Sequence, residues 1–201
     1  MTAIRDEASV GEGTFNGQFG PPSERAVKKL KGHLTPWVQE FVSNAPFVVM
    51  ATADADGRCD ASPKGGKPGF VKVIDDRRLL FPDVAGNKLF QSYQNIEASP
   101  YVGLIFFIPG INDTVRVNGK ASVVGKDELD RQSIELALYE TDDNSRHLQG
   151  LLIEVEEAYS HCPRALKFSK LWDAEEVASN RANSPISDRT DENYWAHEAG
   201  N

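Results

Sequence analysis

Residues 79–96 of this chain read LLFPDVAGNKLFQSYQNI. The apolar run Leu79–Phe81 predicts a buried strand that ends at Pro82-Asp83. The turn-forming sequence Gly86-Asn87-Lys88 follows, and apolar residues then recur at helical spacing from Leu89 to Ile96. We therefore predict a strand, a tight turn and a helix, with an amide and a cation where the helix begins.

The start of this predicted helix is a candidate anion site. The first turn of a helix has free backbone N–H groups and the positive end of the helix dipole, which together bind phosphate readily. Asn87 and Lys88 would add an amide and a cation there. The alternative is that Gly86-Asn87 is only a turn and that Lys88 is a solvated surface charge. This segment taken alone leaves both interpretations open.

Length and composition predict one domain with two extensions. A chain of 201 residues, of which 40% are hydrophobic, is long enough for one packed core. Glycine and proline fill the first segment, and Asp, Glu, Asn and Ser fill the last. We therefore predict an N-terminal arm over residues 1–22, a domain over 23–173 and a weakly structured C-terminal tail over 174–201.

Charge and cysteine usage exclude several classes of protein. The net charge of −8 argues against a general nucleic-acid-binding protein, which normally has a basic face. Cys59 and Cys162 show no zinc-ligand spacing and predict free thiols and no metal site. No apolar run reaches the roughly 18 residues that span a membrane, and the N-terminus has no signal-peptide core. We expect a soluble, cytoplasmic protein that binds neither nucleic acid nor membranes.

Short apolar and alternating segments predict about six antiparallel strands. Segment 114–124 alternates most clearly, with Val115 and Val117 on one face and Arg116 and Lys120 on the other. The last strand is predicted at 151–155, and a helix is predicted at 126–138. Because the helices are few and irregularly placed, we predict an antiparallel barrel or sandwich rather than a doubly wound parallel sheet.

Basic side chains gather in three clusters, although the chain is acidic overall. The clusters are Ser62-Pro63-Lys64-Gly65-Gly66, then Asn87-Lys88, and then Arg164, Lys167 and Lys170, whose spacing places them along one face of a helix. Arg116 and Lys120 share a strand face and add to this set. Each cluster alone is most simply a solvated surface. Together they predict one anionic ligand that several segments hold, since glycines let backbone N–H groups approach it.

The chain has none of the sequence motifs of a nucleophilic or metal-dependent enzyme. GxSxG, HExxH, the P-loop and GxGxxG are all absent from the sequence. No catalytic residue is therefore assigned. If the protein is an enzyme, we expect a bound cofactor to carry the chemistry while the protein supplies position and electrostatics.

The chain resembles the FMN-binding split β-barrel proteins of the pyridoxamine 5'-phosphate oxidase-like family. The resemblance covers about residues 23–173 and is carried by the order and spacing of five segments: NAPFVVMATADADG (44–57), DASPKGG (60–66), FPDVAGNK (81–88), IPGINDTVRVNGKA (108–121) and HCPRALKFSKLW (161–172). It implies a mainly β fold with flanking helices, built on a six-stranded antiparallel split β-barrel.

The resemblance also implies a homodimer with two FMN sites at the subunit interface. Ser62, Pro63 and Lys64 would line the flavin ring and ribityl chain, and Phe81 and Pro82 would flank them. Asn87 and Lys88 would bind the phosphate, and Arg116 would lie on the strand near the dimer contact. The remaining residues would close the site, from the same subunit or from the partner: Arg164, Lys167, Lys170 and Trp172.

These residues predict an FMN-dependent oxidoreductase that acts on a small molecule. The sequence DASPK stands where the oxidases of this family have a longer, arginine-rich strand, so the substrate is expected to differ from theirs. A non-catalytic flavin or haem protein for binding, storage or sensing is the alternative, and a deazaflavin is another ligand of similar barrels. A dimeric barrel without any cofactor is the third interpretation.

Overall fold

The computed structural model describes residues 15–84, 90–125, 127, 129 and 147–186. They belong to two compact units, Met1–Pro163 and Arg164–Asn201. Asn87 and Lys88 lie outside the described residues. So does the helix predicted at 126–138, except for Asp127 and Leu129, which are helical.

The described part of the first unit consists of helices and strands that alternate irregularly along the chain. The helices are α1 (Phe15–Phe19), α2 (Glu24–Lys28), α3 (Pro36–Asn44) and α4 (Gln91–Ala98). The strands are β1 (Phe47–Ala53), β2 (Cys59–Gly65), β3 (Lys72–Asp75), β4 (Arg78–Val84), β5 (Tyr101–Phe107), β6 (Thr114–Gly125) and β7 (His147–His161). None of the helices in the described residues is long and apolar enough to cross a membrane.

All seven strands form one sheet in the order β2-β1-β5-β6-β7-β4-β3, and every neighbouring pair is antiparallel. The predicted mainly β fold with flanking helices is confirmed. The strand count is corrected from six to seven, and the sheet is open, with β2 and β3 at its edges. Strand β3 has only four residues and, among the described strands, pairs with β4 alone.

The core lies on one face of the sheet, which we call the inner face. Val48 and Met50 of β1, Leu104 of β5 and Val117 of β6 are almost completely buried there. Helix α4 packs on β1, β2 and β6, and helix α3 packs on β3, β6 and β7. We call the opposite face of the sheet the outer face. In strands β2, β1, β5, β6 and β7, the residues that lie between the inner-face residues point to this outer face.

A β-bulge separates two parts of the β6–β7 pair. The pairing shifts register between Asn118 and Gly119, so that Asn118 faces Glu157 and Gly119 faces Val155. Glycine is required here, since a Cβ on residue 119 would overlap the carbonyl oxygen of Glu154. The bulge lets the two long strands stay paired while the sheet bends.

The second unit contains helices α5 (Arg164–Phe168) and α6 (Ala174–Ala182). The Asp173 side chain accepts a hydrogen bond of 3.0 Å from the backbone N–H of Glu176 and caps α6. The expectation of weak structure after residue 173 is therefore wrong for α6. Its signal was present in the sequence, as an Asp cap followed by acidic residues in the first helical turn.

Candidate functional site

Strand β2 presents polar side chains on the inner face at an edge of the sheet. Asp60, Ser62 and Lys64 are half-buried and lie opposite Thr52, Met50 and Val48 of β1. Directly opposed residues of an antiparallel pair point to the same face of a sheet. Ser62 and Lys64 therefore lie at the margin of the core, where a bound ligand would be partly shielded from water.

Pro63 lies between these two residues and points to the outer face. A proline cannot donate to the hydrogen-bond ladder, so it is tolerated only where the strand has a free edge or an irregularity. Strand β2 pairs with β1 alone and leaves that edge free.

Helix α4 is held against β1 and β2 by two polar contacts. The Asn95 amide donates a hydrogen bond of 2.9 Å to the hydroxyl of Thr52, and the Ser92 hydroxyl lies 3.4 Å from the Asp60 carboxylate. The described residues include four buried polar side chains. Three of them lie at this junction: Thr52, Ser92 and Asn95. Buried polar groups are kept where their hydrogen bonds are made, so these contacts fix the position of α4.

The start of α4 has no side-chain cap. Phe90 occupies the cap position, and its φ of 29° is in the left-handed region that non-glycine residues rarely adopt. Its side chain offers no acceptor to the amides of the first turn. Within the described residues, the Tyr93 N–H donates to the Phe90 carbonyl at 3.0 Å, so of the first-turn amides only those of Gln91 and Ser92 could bind an external acceptor such as a phosphate oxygen.

Phe81 and Pro82 lie in β4 and have buried side chains. The Phe81 ring is 2% exposed and packs edge-to-face on Phe70, with 5.6 Å between ring centroids. A Cβ on Gly150 would lie 3.2 Å from the Phe81 carbonyl oxygen, so β7 also packs closely on this strand. The Phe81 ring belongs to the core, and any contact with a ligand would use the backbone of β4.

Arg116 is half-buried on the outer face of β6, where it lies between Ile105 of β5 and Tyr159 of β7. One guanidinium N–H donates a hydrogen bond of 3.2 Å to the Tyr159 phenol oxygen. Ser62 and Lys64 lie on the inner face. Within one chain, the side chain of Arg116 is therefore on the opposite side of the sheet from theirs.

The second unit contains the four remaining residues of the predicted site. Arg164 and Lys167 lie on α5, and the Arg164 guanidinium is 5.0 Å from the centroid of the Phe168 ring. Lys170 lies beyond the end of α5 and has a φ of 53°. Its ammonium nitrogen is 3.8 Å from a carboxylate oxygen of Glu176. The expectation that these three cations share one helical face is wrong, because the helix ends at Phe168.

Trp172 follows in the same turn as Lys170. Its indole nitrogen is buried and has no hydrogen-bond partner within the described part of the chain. An indole N–H usually finds a partner when it is buried.

The sequence profile of the Pyridoxamine 5'-phosphate oxidase family matches residues 34–162 of this chain. The chain belongs to the pyridoxamine 5'-phosphate oxidase family. The matched region contains all seven strands and the helices α3 and α4.

A curated relative in this family is the pyridoxine/pyridoxamine 5'-phosphate oxidase of Chromobacterium violaceum. It is 30% identical over 105 residues, which cover 52% of this chain and 46% of the relative. The match therefore spans about half the length of that oxidase.

Solved structures with a similar architecture have lower sequence identity. A variant of HupZ from Group A Streptococcus is 17% identical with a TM-score of 0.46, and the match covers 64% of this chain and 99% of that one. An FMN-binding protein from Syntrophomonas wolfei is 14% identical with a TM-score of 0.47, covering 62% of this chain and 86% of that one.

Within the described part of the first unit, the residues that resemblance to the oxidase family assigns to a cofactor fall into three places. Ser62–Lys64 lie on β2, next to the junction with α4, and Phe81 and Pro82 lie on β4. Arg116 lies on the outer face of β6. Tyr159 accepts a hydrogen bond from Arg116, and the Lys29 ammonium lies over the Tyr159 ring. Neither residue had a motif in the sequence, because only the register of β6 and β7 and the position of α2 bring them to this place.

Proposed function

We propose that this member of the oxidase family is a cytoplasmic FMN-binding flavoprotein that oxidises or reduces a small molecule. The contact between Ser92 of α4 and Asp60 of β2 carries the proposal. It joins β2, which carries the predicted ring-binding residues, to α4, whose start is the predicted phosphate-binding segment. Lys88 is four positions before Ser92, and Ser62 is two positions after Asp60.

The residues present fit the cofactor. The amides of Gln91 and Ser92 at the start of α4 suit a phosphate group, and Lys88 and Asn87 supply a cation and an amide a few positions earlier in the sequence. The half-buried Ser62 and Lys64 suit the polar edge of the flavin ring and the ribityl hydroxyls. The bound flavin supplies the redox chemistry, since the chain has no nucleophile or metal motif of its own.

Lys64 has a distinct role in this proposal. Lys64 is half-buried on the inner face of β2 at the margin of the core, where a charge is less screened than at the open surface. It would stabilise negative charge on the ring and so favour the reduced cofactor. Ser62, on the same face of β2, would donate or accept one hydrogen bond and orient the ring.

The proposal includes a homodimer in which a second copy covers the apolar half of the outer face. Phe47 is 39% exposed and Tyr101 is 58% exposed on this face, and the rings of Phe47 and Phe107 are in contact, with 5.9 Å between centroids. Sedimentation equilibrium should give twice the mass of the chain. Phe47→Glu, which puts a charge into that patch, should shift the protein toward the monomer.

The first test is the visible spectrum of the purified full-length protein, followed by mass analysis of the released chromophore. Flavin absorbance and the mass of FMN support the proposal. A haem Soret band contradicts it, as does a colourless protein that takes up no added FMN. Steady turnover of a reduced nicotinamide cofactor with an added acceptor would support an oxidoreductase, whereas bound FMN without turnover would support the storage or sensing alternative.

The second test addresses the phosphate site. Asn87→Ala combined with Lys88→Ala should weaken FMN binding by about tenfold or more, because each lost charge-assisted hydrogen bond costs about 1.5–3 kcal/mol. Riboflavin affinity should change far less, since riboflavin has no phosphate. Lys28→Ala is the control, because Lys28 is an exposed lysine paired with Glu24. Equal losses for FMN and riboflavin would contradict a phosphate role for the pair.

A further inference from the structure

Three basic side chains surround Tyr159 on the outer face of the sheet. The Lys29 ammonium and the Arg116 guanidinium each lie 5.9 Å from the centroid of the Tyr159 ring, and the His161 ring centroid lies 6.1 Å from it. Residues 29, 116, 159 and 161 are here called the Tyr159 cluster. Lys29 follows α2, Arg116 lies on β6, and the other two lie on β7.

The cations of this cluster have no carboxylate partner among the described residues. No ion pair in that part of the chain includes Lys29 or Arg116. The neighbouring side chains of β6 on the same face, Lys120 and Asn118, do have carboxylate partners. Lys120 pairs with Glu156 at 3.2 Å, and Asn118 donates a hydrogen bond of 2.8 Å to Glu157. Because Asn118 is neutral, Glu157 keeps its negative charge, and the two cations of the cluster exceed this one carboxylate by a single positive charge, although the whole chain has a net charge of −8.

Arg116 and Tyr159 present donors in a fixed arrangement. The Tyr159 oxygen accepts one of the five N–H bonds of the guanidinium. The phenolic proton of Tyr159 thus remains able to donate to another acceptor. A half-buried guanidinium with further N–H groups beside a hydroxyl donor matches the planar, two-oxygen geometry of a carboxylate or a phosphate.

We propose that Lys29, Arg116 and Tyr159 form a binding site for an oxyanion, the carboxylate or phosphate group of a small ligand. Within one chain, Arg116 and Ser62 lie on opposite faces of the sheet, so this site differs from the proposed phosphate site at α4 of the same chain. Arg116 binds the oxyanion through two N–H groups, Tyr159 donates a third hydrogen bond, and Lys29 supplies charge. The inference goes beyond FMN binding and does not depend on it.

The test is a titration of the 15N-labelled full-length protein with inorganic phosphate and, separately, with acetate, at constant ionic strength. The side-chain N–H signal of Arg116 and the backbone signals of Tyr159 should shift saturably with at least one of the two anions. Tighter binding of phosphate identifies a phosphorylated ligand, and tighter binding of acetate identifies a carboxylate. Shifts that rise linearly with both anions would overturn the proposal.

Two variants separate a built site from general surface charge. Arg116→Met should weaken anion binding about a hundredfold or more, the effect of losing two charge-assisted hydrogen bonds. Lys120→Met removes a cation from the same face whose charge is already paired with Glu156, so affinity should stay within about twofold of the wild type. Equal losses in the two variants would overturn the proposal.

The same titration repeated with saturating FMN distinguishes this site from the cofactor site. Anion shifts that persist in the presence of FMN support a separate site. Their loss would mean that the cofactor's own phosphate occupies the Tyr159 cluster, which would overturn the inference of a second ligand. A protein that binds no FMN would contradict the proposed function but would leave the anion titration unaffected.

Discussion

The amide nitrogen of Asn95 donates a hydrogen bond of 2.9 Å to the hydroxyl of Thr52 inside a junction that is otherwise closed to water. Asn95 is 7% exposed and Thr52 is 4% exposed. The bond ties helix α4 to strand β1, which are far apart in the sequence. Because a buried polar pair is favourable only when its geometry is met, it selects one position of α4 on the sheet.

Asn95→Ala should therefore lower the free energy of unfolding by about 1–3 kcal/mol, since it leaves the Thr52 hydroxyl buried without this donor. Thr52→Val removes the other partner with little change of shape. Urea unfolding of both single variants and of the double variant measures the coupling. We expect the double variant to lose less than the two single losses added together. Strictly additive losses would mean that the pair does not interact.

Gly119→Ala should destabilise the protein by about 1–3 kcal/mol or more, as overpacking does. The new methyl group would meet the carbonyl oxygen of Glu154, which is backbone and cannot rotate away. Gly125→Ala is the matched control in the same strand, because a Cβ there has no neighbour within 4 Å in the part of the chain that the structure describes. Chemical denaturation measures both variants. Similar stabilities for the two would show that the bulge moves to accommodate the methyl group.

The same bulge explains which part of the sheet could be predicted from the sequence. Alternation along β6 predicted its buried face correctly from Val115 to Ala121. The last strand was predicted to end at Val155, but β7 continues to His161. Val155 and Ala158 are both buried, so the period of two breaks between them. A pattern of period two cannot follow a strand through a bulge, because the extra residue reverses which face is buried.

The candidate site was predictable only where its residues are consecutive. Ser62–Lys64 could be found because one strand segment holds them together. Arg116 was also found, but its partner Tyr159 was not, since that contact depends on the register of two strands. Lys170 was placed on a helix by its spacing from Lys167, although the chain leaves the helix before it. Spacing alone does not give the residue at which a short helix ends.

Asp75→Asn should reduce stability at neutral pH and have little effect in acid. Hydrogen bonds from the Arg78 side chain, at 2.8 Å, and from the Arg77 backbone hold the pKa of the Asp75 carboxyl below its usual range. A lowered pKa in the folded state adds stability above the pKa of the unfolded chain. That stability is lost as the pH falls through the folded pKa.

Urea unfolding of the wild type and of Asp75→Asn at several pH values measures this difference. Asp76→Asn controls for the loss of one negative charge at a neighbouring position. The gap between the wild type and Asp75→Asn should close on acidification. A gap of constant size from neutral pH to acid would mean that the Asp75 contacts do not depend on its charge.

Lys64→Ala should lower the reduction potential of bound FMN, if FMN is the cofactor as proposed. Lys64 lies half-buried on the inner face of β2, opposite the fully buried Val48, so its charge acts through a region of reduced screening. Removing that charge makes added negative charge on the ring less favourable. A fall of about 30 mV corresponds to about 1.4 kcal/mol for a two-electron couple. Spectroelectrochemical titration measures it, with Lys28→Ala as the control for loss of one exposed lysine. A Lys64→Ala protein that retains FMN at an unchanged potential would assign Lys64 to binding or packing instead of to control of the potential.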